Sequence, residues 1–388
     1  MKTVFWISLF IVFYTYVGYA IILFALVKIK QVIKGHVVYC SKELPSLTVL
    51  VAAYNEEGII AEKILNTLSL RYPENKIAYI FITDGSSDNT PNLVAQFPVV
   101  LHLYQNIRAG KMAAIERALA HVTSDVIVFT DANTMLNQEA LINIARHYQD
   151  PNVGAVAGEK RVEIPESADA TAGEGIYWKY ESTLKQWDSL LNTVVGAAGE
   201  LFSIRTQLYT PIEKDTLLDD FMISMRIAQK GFRIVYEPGA YAVETASANT
   251  HEELKRKIRI GAGGLQSTIR LWPLLLPFKQ PLLSFQFISH RILRWTLCPL
   301  ALILLLISNA AIVLISSAEP VYLVSMLGQV IFYLAAMLGW YLAQRSIKVK
   351  ALFVPYYFSM MNYAVVAGWF RYMSGHQSVL WEKAIRKP

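Results

Sequence analysis

The sequence predicts a mostly parallel α/β domain flanked by α-helical transmembrane segments. Three observations carry that expectation. Strand-like and helix-like stretches alternate from Pro45 onward, charges run through residues 45–260, and long apolar stretches lie on both sides. Hydrophobic residues make up 54% of the 388, too many for an ordinary soluble enzyme, and the excess sits in the flanks.

Residues 4–27, from Val4 to Val27, hold no charge, and roughly 20 apolar residues can span a bilayer as a helix. Gly18-Tyr19-Ala20 faintly suggests a signal cleavage site. The apolar run continues past it, however, beyond the about 7–15 residues usual for a signal. Residues 1–34 therefore read as an uncleaved anchor. Lys28, Lys30 and Lys34 follow at once. The positive-inside rule then puts the next domain in the cytoplasm, on a protein integral to the cell (plasma or inner) membrane.

From residue 45 to 265 the pattern is strand, turn, helix, repeated. "LTVLVAAY" is a buried-strand run, and "NEEGIIAEKILNTLSL" carries helical spacing through Ile59, Ile60, Ile64, Leu65 and Leu68. "IAYIFITDGSSDNT" is a second strand opening into a turn, with Pro91 starting a helix, and "VVLHLYQ" is a short third strand. "RAGKMAAIERALAHV" is helical, and "DVIVFTDAN" is a fourth strand. Such alternation predicts a parallel sheet covered by helices. Ligands of such sheets bind beyond the carboxyl ends of the strands, where every polar cluster below falls.

"GAGGLQ" (261–266) reads as a glycine-rich joint between the soluble domain and the membrane region. Within residues 266–294, the stretch from Leu271 onward holds three prolines, Lys279, His290 and two arginines among large apolar residues, which suits an amphipathic segment in the membrane interface. Candidate spans follow at about 295–317, 321–343 and 351–372 within a C-terminal region, 295–388, that ends in a basic tail. Three spans would leave that tail outside, whereas its basic character favours the cytoplasm. Either 351–372, with Pro355, does not cross, or the interfacial segment does.

The net charge of +6 does not imply nucleic acid as a partner. Much of the excess lies beside membrane segments (Arg256, Lys257, Arg259, Arg345, Lys348, Lys350), where basic clusters fix orientation or meet anionic head groups of the lipid bilayer. Cys40 and Cys298 alone can build neither a disulfide framework nor a zinc site.

Chemistry is suggested by polar residues at strand ends. Asp131 and Asn133 alternate on an extended segment and can address one ion. A divalent ion on a diphosphate needs only one or two protein oxygens. A turn in which both bond their own backbone is the competing explanation. Asp84 ends the second strand and can accept hydrogen bonds from a ligand, while Asp88 or Asn89 caps the next helix. Tyr54 can stack on a nucleobase and Glu56 can accept hydrogen bonds, or both simply belong to a polar helix start. Lys111 can oppose phosphate charge, or be an ordinary surface lysine. Asp219 and Asp220 precede a helix, where acids suit the dipole. Adjacent carboxylates do not share a face, so at most one of them would be a general base.

The order of "VAAYNEE", "TDGSSDNT", "GKMAA", "FTDANT", "GAAGELFSIR" and "LLDDFMISMRIAQKGFRIVYEPGA" resembles membrane-embedded family-2 glycosyltransferases, in the branch of hyaluronan, cellulose and poly-N-acetylglucosamine synthases. The likeness covers roughly residues 45–265. It implies a GT-A fold, a nucleotide-sugar donor carried as a UDP-sugar, a glycan or lipid acceptor, and Mg²⁺ or Mn²⁺ as cofactor. Tyr54, Glu56 and Asp84 would meet the nucleoside, Lys111 the donor, and Asp131 and Asn133 the metal. The family's T-E-D motif falls on Leu218-Asp219-Asp220, making Asp220 the base. Gly199, Arg205 and Asp219 would face the acceptor, and Arg259 the diphosphate.

Two departures stand out. Asn133 replaces the second acid of the family's D-x-D motif. The family's Q-x-x-R-W stretch corresponds to Arg256-Lys257-Ile258-Arg259-Ile260, which keeps the arginine but lacks the glutamine and tryptophan. That loss favours single transfer over a processive polysaccharide synthase or exporter. A nucleotide-sensing membrane channel is the reading from another class, but intramembrane charges expected of a pathway are nearly absent.

Overall fold

The computed structural model describes residues 1–34, 43–163, 172–245, 250–315, 319–345, 347 and 349–375. Most of the basic tail, together with Cys40 and Lys348, lies outside them. The chain divides into two compact units, one built on Lys30–Glu163 and Lys185–Ala246, the other on Met1–Ile29, Ile164–Leu184 and Ser247–Gln377.

The first unit is an eight-stranded sheet. Its strands are β1 (Leu47–Ala53), β2 (Ile77–Asp84), β3 (Leu101–Gln105), β4 (Val126–Asp131), β5 (Thr134–Leu136), β6 (Val153–Glu163), β7 (Leu201–Arg205) and β8 (Arg233–Thr245). They lie in the order β3-β2-β1-β4-β7-β6-β8-β5. The first four are parallel, as the alternating pattern predicts. Beyond β4 the sheet is mixed: β7 runs antiparallel to β4 and β6, and β8 is parallel to β6 but antiparallel to β5.

The apolar runs explain the core. Val49, Val51, Phe81, Val126 and Val128 are buried from strands, against Ile60, Ile64, Ile144 and Leu141 from helices. Strand order also dictates a curl. β4 and β5 stand four places apart, about 19 Å in a flat sheet. Asp131 and Thr134 are nevertheless consecutive strand ends, and three residues reach only about 10 Å. The sheet must fold over on itself there, and the Ala132-Asn133 turn sits at the fold.

The second unit holds the apolar helices. Among the described residues, three are long and apolar enough to cross a membrane: Lys2–Ile33, Leu297–Ile315 and Pro320–Gln344. Phe5 packs with Leu305, Ile312 and Tyr322, and Lys2 pairs with Glu319 at 2.7 Å. The fourth expected span forms a helix, Lys350–Met373, with Pro355 inside, but is not among those three. The buried carboxylate of Glu181 is met by His290, Arg291 and Arg294, all three cations or potential cations.

One expectation is overturned. "GAGGLQ" is not a joint but part of an unbroken helix, Thr250–Arg270. Its glycines serve close packing. A Cβ on Gly261 would lie 2.9 Å from the Ala364 carbonyl, and one on Gly368 would lie 2.5 Å from the Ala262 nitrogen. Helices Thr250–Arg270 and Lys350–Met373 therefore meet backbone to backbone.

Candidate active site

The carboxyl edge of the parallel strands gathers the polar residues. Ala52 of β1 pairs with Ile82 of β2 on one side and Asp131 of β4 on the other. Asp131 therefore ends its strand level with Ala52, and Asp84 ends its own two residues further on.

Asp84 is buried and fully engaged. It accepts from the backbone N–H groups of Ala109 (3.0 Å) and Gly110 (2.7 Å) and from Arg117 (3.1 Å). The expected ligand contact of Asp84 is thus replaced, in this state, by a clamp on the loop before Lys111. Gly85 makes the clamp possible: its φ of +66° suits glycine, and a Cβ there would lie 2.4 Å from the Arg108 nitrogen. On that loop the Arg108 guanidinium lies 3.7 Å over the Tyr54 ring. Asn55, at φ 54°, ties Tyr54's turn to Ser86 and Ser87. The Glu56 N–H donates to Thr90 Oγ1 at 2.8 Å, and its carbonyl accepts from Ile59 and Ile60 at a helix start. Asp88 accepts from the Thr90 N–H at 3.0 Å, at the start of helix Thr90–Ala95, whose N-cap residue Asn89 makes no side-chain capping bond.

The clamped loop delivers Lys111, the first residue of helix Lys111–Leu119. Its ammonium lies 2.8 Å from Asp131 Oδ1 and 3.6 Å from Asp219 Oδ2. Asp219 and Asp220 open helix Asp219–Gln229. A Cβ on Gly199 would lie 3.4 Å from Asp220 Oδ2 and 3.7 Å from Lys111 Nζ, so Gly199 joins the same group. Lys111, Asp131, Gly199, Asp219 and Asp220 thus converge from four separate stretches of chain. Both acids of the pair act on Lys111 electrostatically.

The charges are unbalanced, and the pKa directions follow. Burial raises Asp131, Glu200 and Asp219 add to the rise, and Lys111 opposes it. Burial and the neighbouring Asp219 push Asp220 up to about 7. For Lys111 burial works against the charge, but Asp131, Asp219 and Asp220 outweigh it and hold the pKa above its ordinary value.

One expected residue stands elsewhere. Arg205 pairs in register with Val126, at the start of β4, about 16 Å along the strand from Asp131. Its guanidinium donates to the carbonyls of Val153, Tyr148 and Asp150, so it clamps the opposite edge and not the acceptor side. Arg259 lies half-buried on helix Thr250–Arg270, in the other unit.

The sequence reading missed Lys63, Arg108, Arg117 and Glu200. Lys63 is 0% exposed and donates to Thr130 Oγ1 (2.9 Å) and the Thr134 carbonyl (2.6 Å), beneath the Asp131–Asn133 turn. Its position between Ile60, Ile64 and Thr67 on one helix stripe was the available signal.

Comparison with known proteins agrees with this arrangement. The model of the family described as Glycosyl transferase family 2 matches residues 48–210. A poly-beta-1,6-N-acetyl-D-glucosamine synthase of Staphylococcus aureus is 27% identical over 237 residues, 59% of this chain and 57% of that protein. A beta-monoglucosyldiacylglycerol synthase of Trichormus variabilis is 28% identical over 253 residues, 60% and 52% of the two chains. The match thus spans little more than half the length of these curated relatives. Among solved structures, a mannosyltransferase from Pyrobaculum calidifontis in complex with GDP-Man and Mn²⁺ superposes with a TM-score of 0.70 at 21% identity. That likeness of fold covers 96% of this chain and 100% of the other. Residues 48–210 thus form a domain that the family-2 glycosyltransferase model matches, on a GT-A sheet and in a chain whose described residues include helices apolar enough to cross a membrane.

Proposed function

We propose that the chain transfers a sugar from a nucleoside-diphosphate donor to a hydroxyl of a glycan or lipid-linked acceptor, with inversion, at the cytoplasmic face of the cell membrane. The observation that carries this is the convergence of Lys111, Asp131, Asp219 and Asp220 at the carboxyl edge of the sheet. Asp220 is the general base. Its raised pKa suits a group that must collect a proton near neutral pH. It takes the acceptor's proton as that oxygen attacks the anomeric carbon, and the nucleoside diphosphate leaves from the opposite face. An α-linked donor then yields a β-glycoside.

Asp131, with Asn133 in the turn beyond it, would hold a divalent cation. The donor set fits: it is made of hard oxygens, and among the described residues no three His, Cys, Asp or Glu gather into a metal cage. Phosphate oxygens would therefore complete the shell. Such a cation supplies charge neutralisation to the departing diphosphate. Lys111 lies beside Asp131 to contribute in the same sense. Tyr54, with Arg108 over its ring, forms the nucleoside end, on the loop that Asp84 clamps; UDP is the nucleotide expected from the family resemblance. Lys28 and Lys30, at the end of the first apolar helix, support the cytoplasmic assignment.

The test is a donor screen on purified protein and membranes with labelled UDP-N-acetylglucosamine, UDP-glucose and GDP-mannose, followed by sizing of the product. A single organic-soluble product with one donor is the expected result, because the stretch at 256–260 lacks the tryptophan of processive relatives. A ladder of water-soluble oligomers would make the chain a polymerase, and no transfer from any of the donors would defeat the enzyme reading.

A further inference from the structure

Lys63 is the least explained charge in the catalytic unit. It lies on helix Ile60–Leu68, whose buried face is otherwise Ile60, Ile64 and Thr67. A leucine or methionine would suit that stripe, and a buried ammonium is strongly disfavoured unless something compensates it. Its two direct partners are neutral oxygens, Thr130 Oγ1 and the Thr134 carbonyl. These residues flank the turn that carries Asp131 and Asn133.

The surrounding bonds show what the ammonium holds. Thr130 Oγ1 donates to the Glu200 carbonyl at 2.9 Å, and Thr134 Oγ1 donates to the Asp131 carbonyl at 3.1 Å. The two hydroxyls are 3.2 Å apart. One helical turn on, Asn66 grips β5 from the same helix: its amide donates to the Leu136 carbonyl at 2.9 Å and accepts from the Leu136 N–H at 2.8 Å. Lys63 and Asn66 thus fasten both strands leaving the turn to one rigid helix. A turn at a sharp fold of the sheet has few ladder bonds to fix it, and these side chains replace them. Burial lowers the Lys63 pKa to about 7, and the Asp131 carboxylate opposes part of that shift.

We infer that Lys63 is a positioning residue for Asp131: through Thr130 and Thr134 it fixes the turn that presents the Asp131 carboxylate to the donor's cation. This rests on the reading of Asp131 as that cation's ligand, and the experiment separates the two. Full-length protein in detergent is titrated with Mn²⁺ in the presence of saturating UDP or GDP, and bound Mn²⁺ is read by electron paramagnetic resonance. Thermal unfolding is followed in parallel.

Lys63→Met should weaken Mn²⁺ binding about 10-fold, as removal of groups that orient metal ligands generally does, without lowering the unfolding midpoint, since an apolar side chain suits the stripe. Thr130→Val, which removes one acceptor of Lys63 from another element, should show the same effect at smaller size. Asp131→Asn should abolish recruitment. Wild-type Mn²⁺ affinity in Lys63→Met would overturn the inference while leaving the site reading intact; should that variant not fold, wild-type affinity in Thr130→Val does so. Recruitment that survives Asp131→Asn would instead overturn the site reading beneath it.

Discussion

The Lys111 ammonium donates to Asp131 at 2.8 Å from the first residue of its helix. That single cation also serves Asp219 at 3.6 Å and lies in the field of Asp220. Three carboxylates therefore surround Lys111 in a largely buried cluster, with Lys63 beneath Asp131 as a second basic group. Such a cluster favours a further cation over a bare anion, so a nucleoside diphosphate should bind only together with a metal. The expected outcome is no detectable UDP or GDP binding by calorimetry in the presence of a chelator, and binding restored by Mn²⁺ or Mg²⁺.

The same imbalance sets a pH profile. As the proposed base, Asp220 must be ionised to accept a proton, and its pKa is pushed up to about 7 by burial and by Asp219. The kcat/KM should fall as pH drops through that value, since this parameter reports the free enzyme. Asp219→Asn removes the like charge and should move the acid limb to lower pH. Lys111→Met removes the opposing charge and should move it higher. Limbs that stay fixed in both variants would show that another group controls the profile.

Asp220→Asn should cost about 10²–10⁴ in turnover while leaving Mn²⁺-dependent nucleotide binding in place. A second consequence concerns stability. The folded pKa of Asp220 lies above the unfolded value near 3.9, so folding favours the protonated acid. The penalty for ionising it is absent well below pH 4, grows between that value and about 7, and is complete above. Asp220→Asn should therefore raise the unfolding midpoint at pH 8 and leave it little changed near pH 4. A lower midpoint at pH 8 would mark Asp220 as a structural acid.

How much of this was legible follows from which forces are local. The parallel strands and their carboxyl-end acids could be read because strand periodicity and turn residues are encoded within a few positions. Asp84 and Asp131 were picked out on that basis, whereas Asp220, at a helix start, was chosen over Asp219 only through the family resemblance. Arg205 was misassigned because an antiparallel strand reverses the meaning of its ends: β7 begins beside the site and finishes at the far edge. Lys63 was missed because hydrophobic spacing counts a lysine as surface, although its long stem lets it follow an apolar stripe to a buried acceptor. The glycines of "GAGGLQ" read as a joint because local propensity cannot see the helix that packs against them.

Those glycines give the last prediction, which concerns the apolar unit alone. Gly368 faces backbone at short range: a Cβ would lie 2.5 Å from the Ala262 nitrogen and 2.7 Å from the Ile258 carbonyl oxygen. Backbone within a helix cannot yield as a side-chain tip can, so even one methyl group must push the helices apart. Overpacking of this kind typically costs about 1–3 kcal/mol. Gly328, on the helix Pro320–Gln344, has nothing within 4 Å of its Cβ position. Gly368→Leu should therefore lower the unfolding midpoint in detergent and reduce yield, whereas Gly328→Leu, with the same gain in apolar volume and the same loss of a helix glycine, should leave both unchanged or improved. Equal behaviour of the two variants would mean that helices Thr250–Arg270 and Lys350–Met373 do not depend on close approach at Gly368.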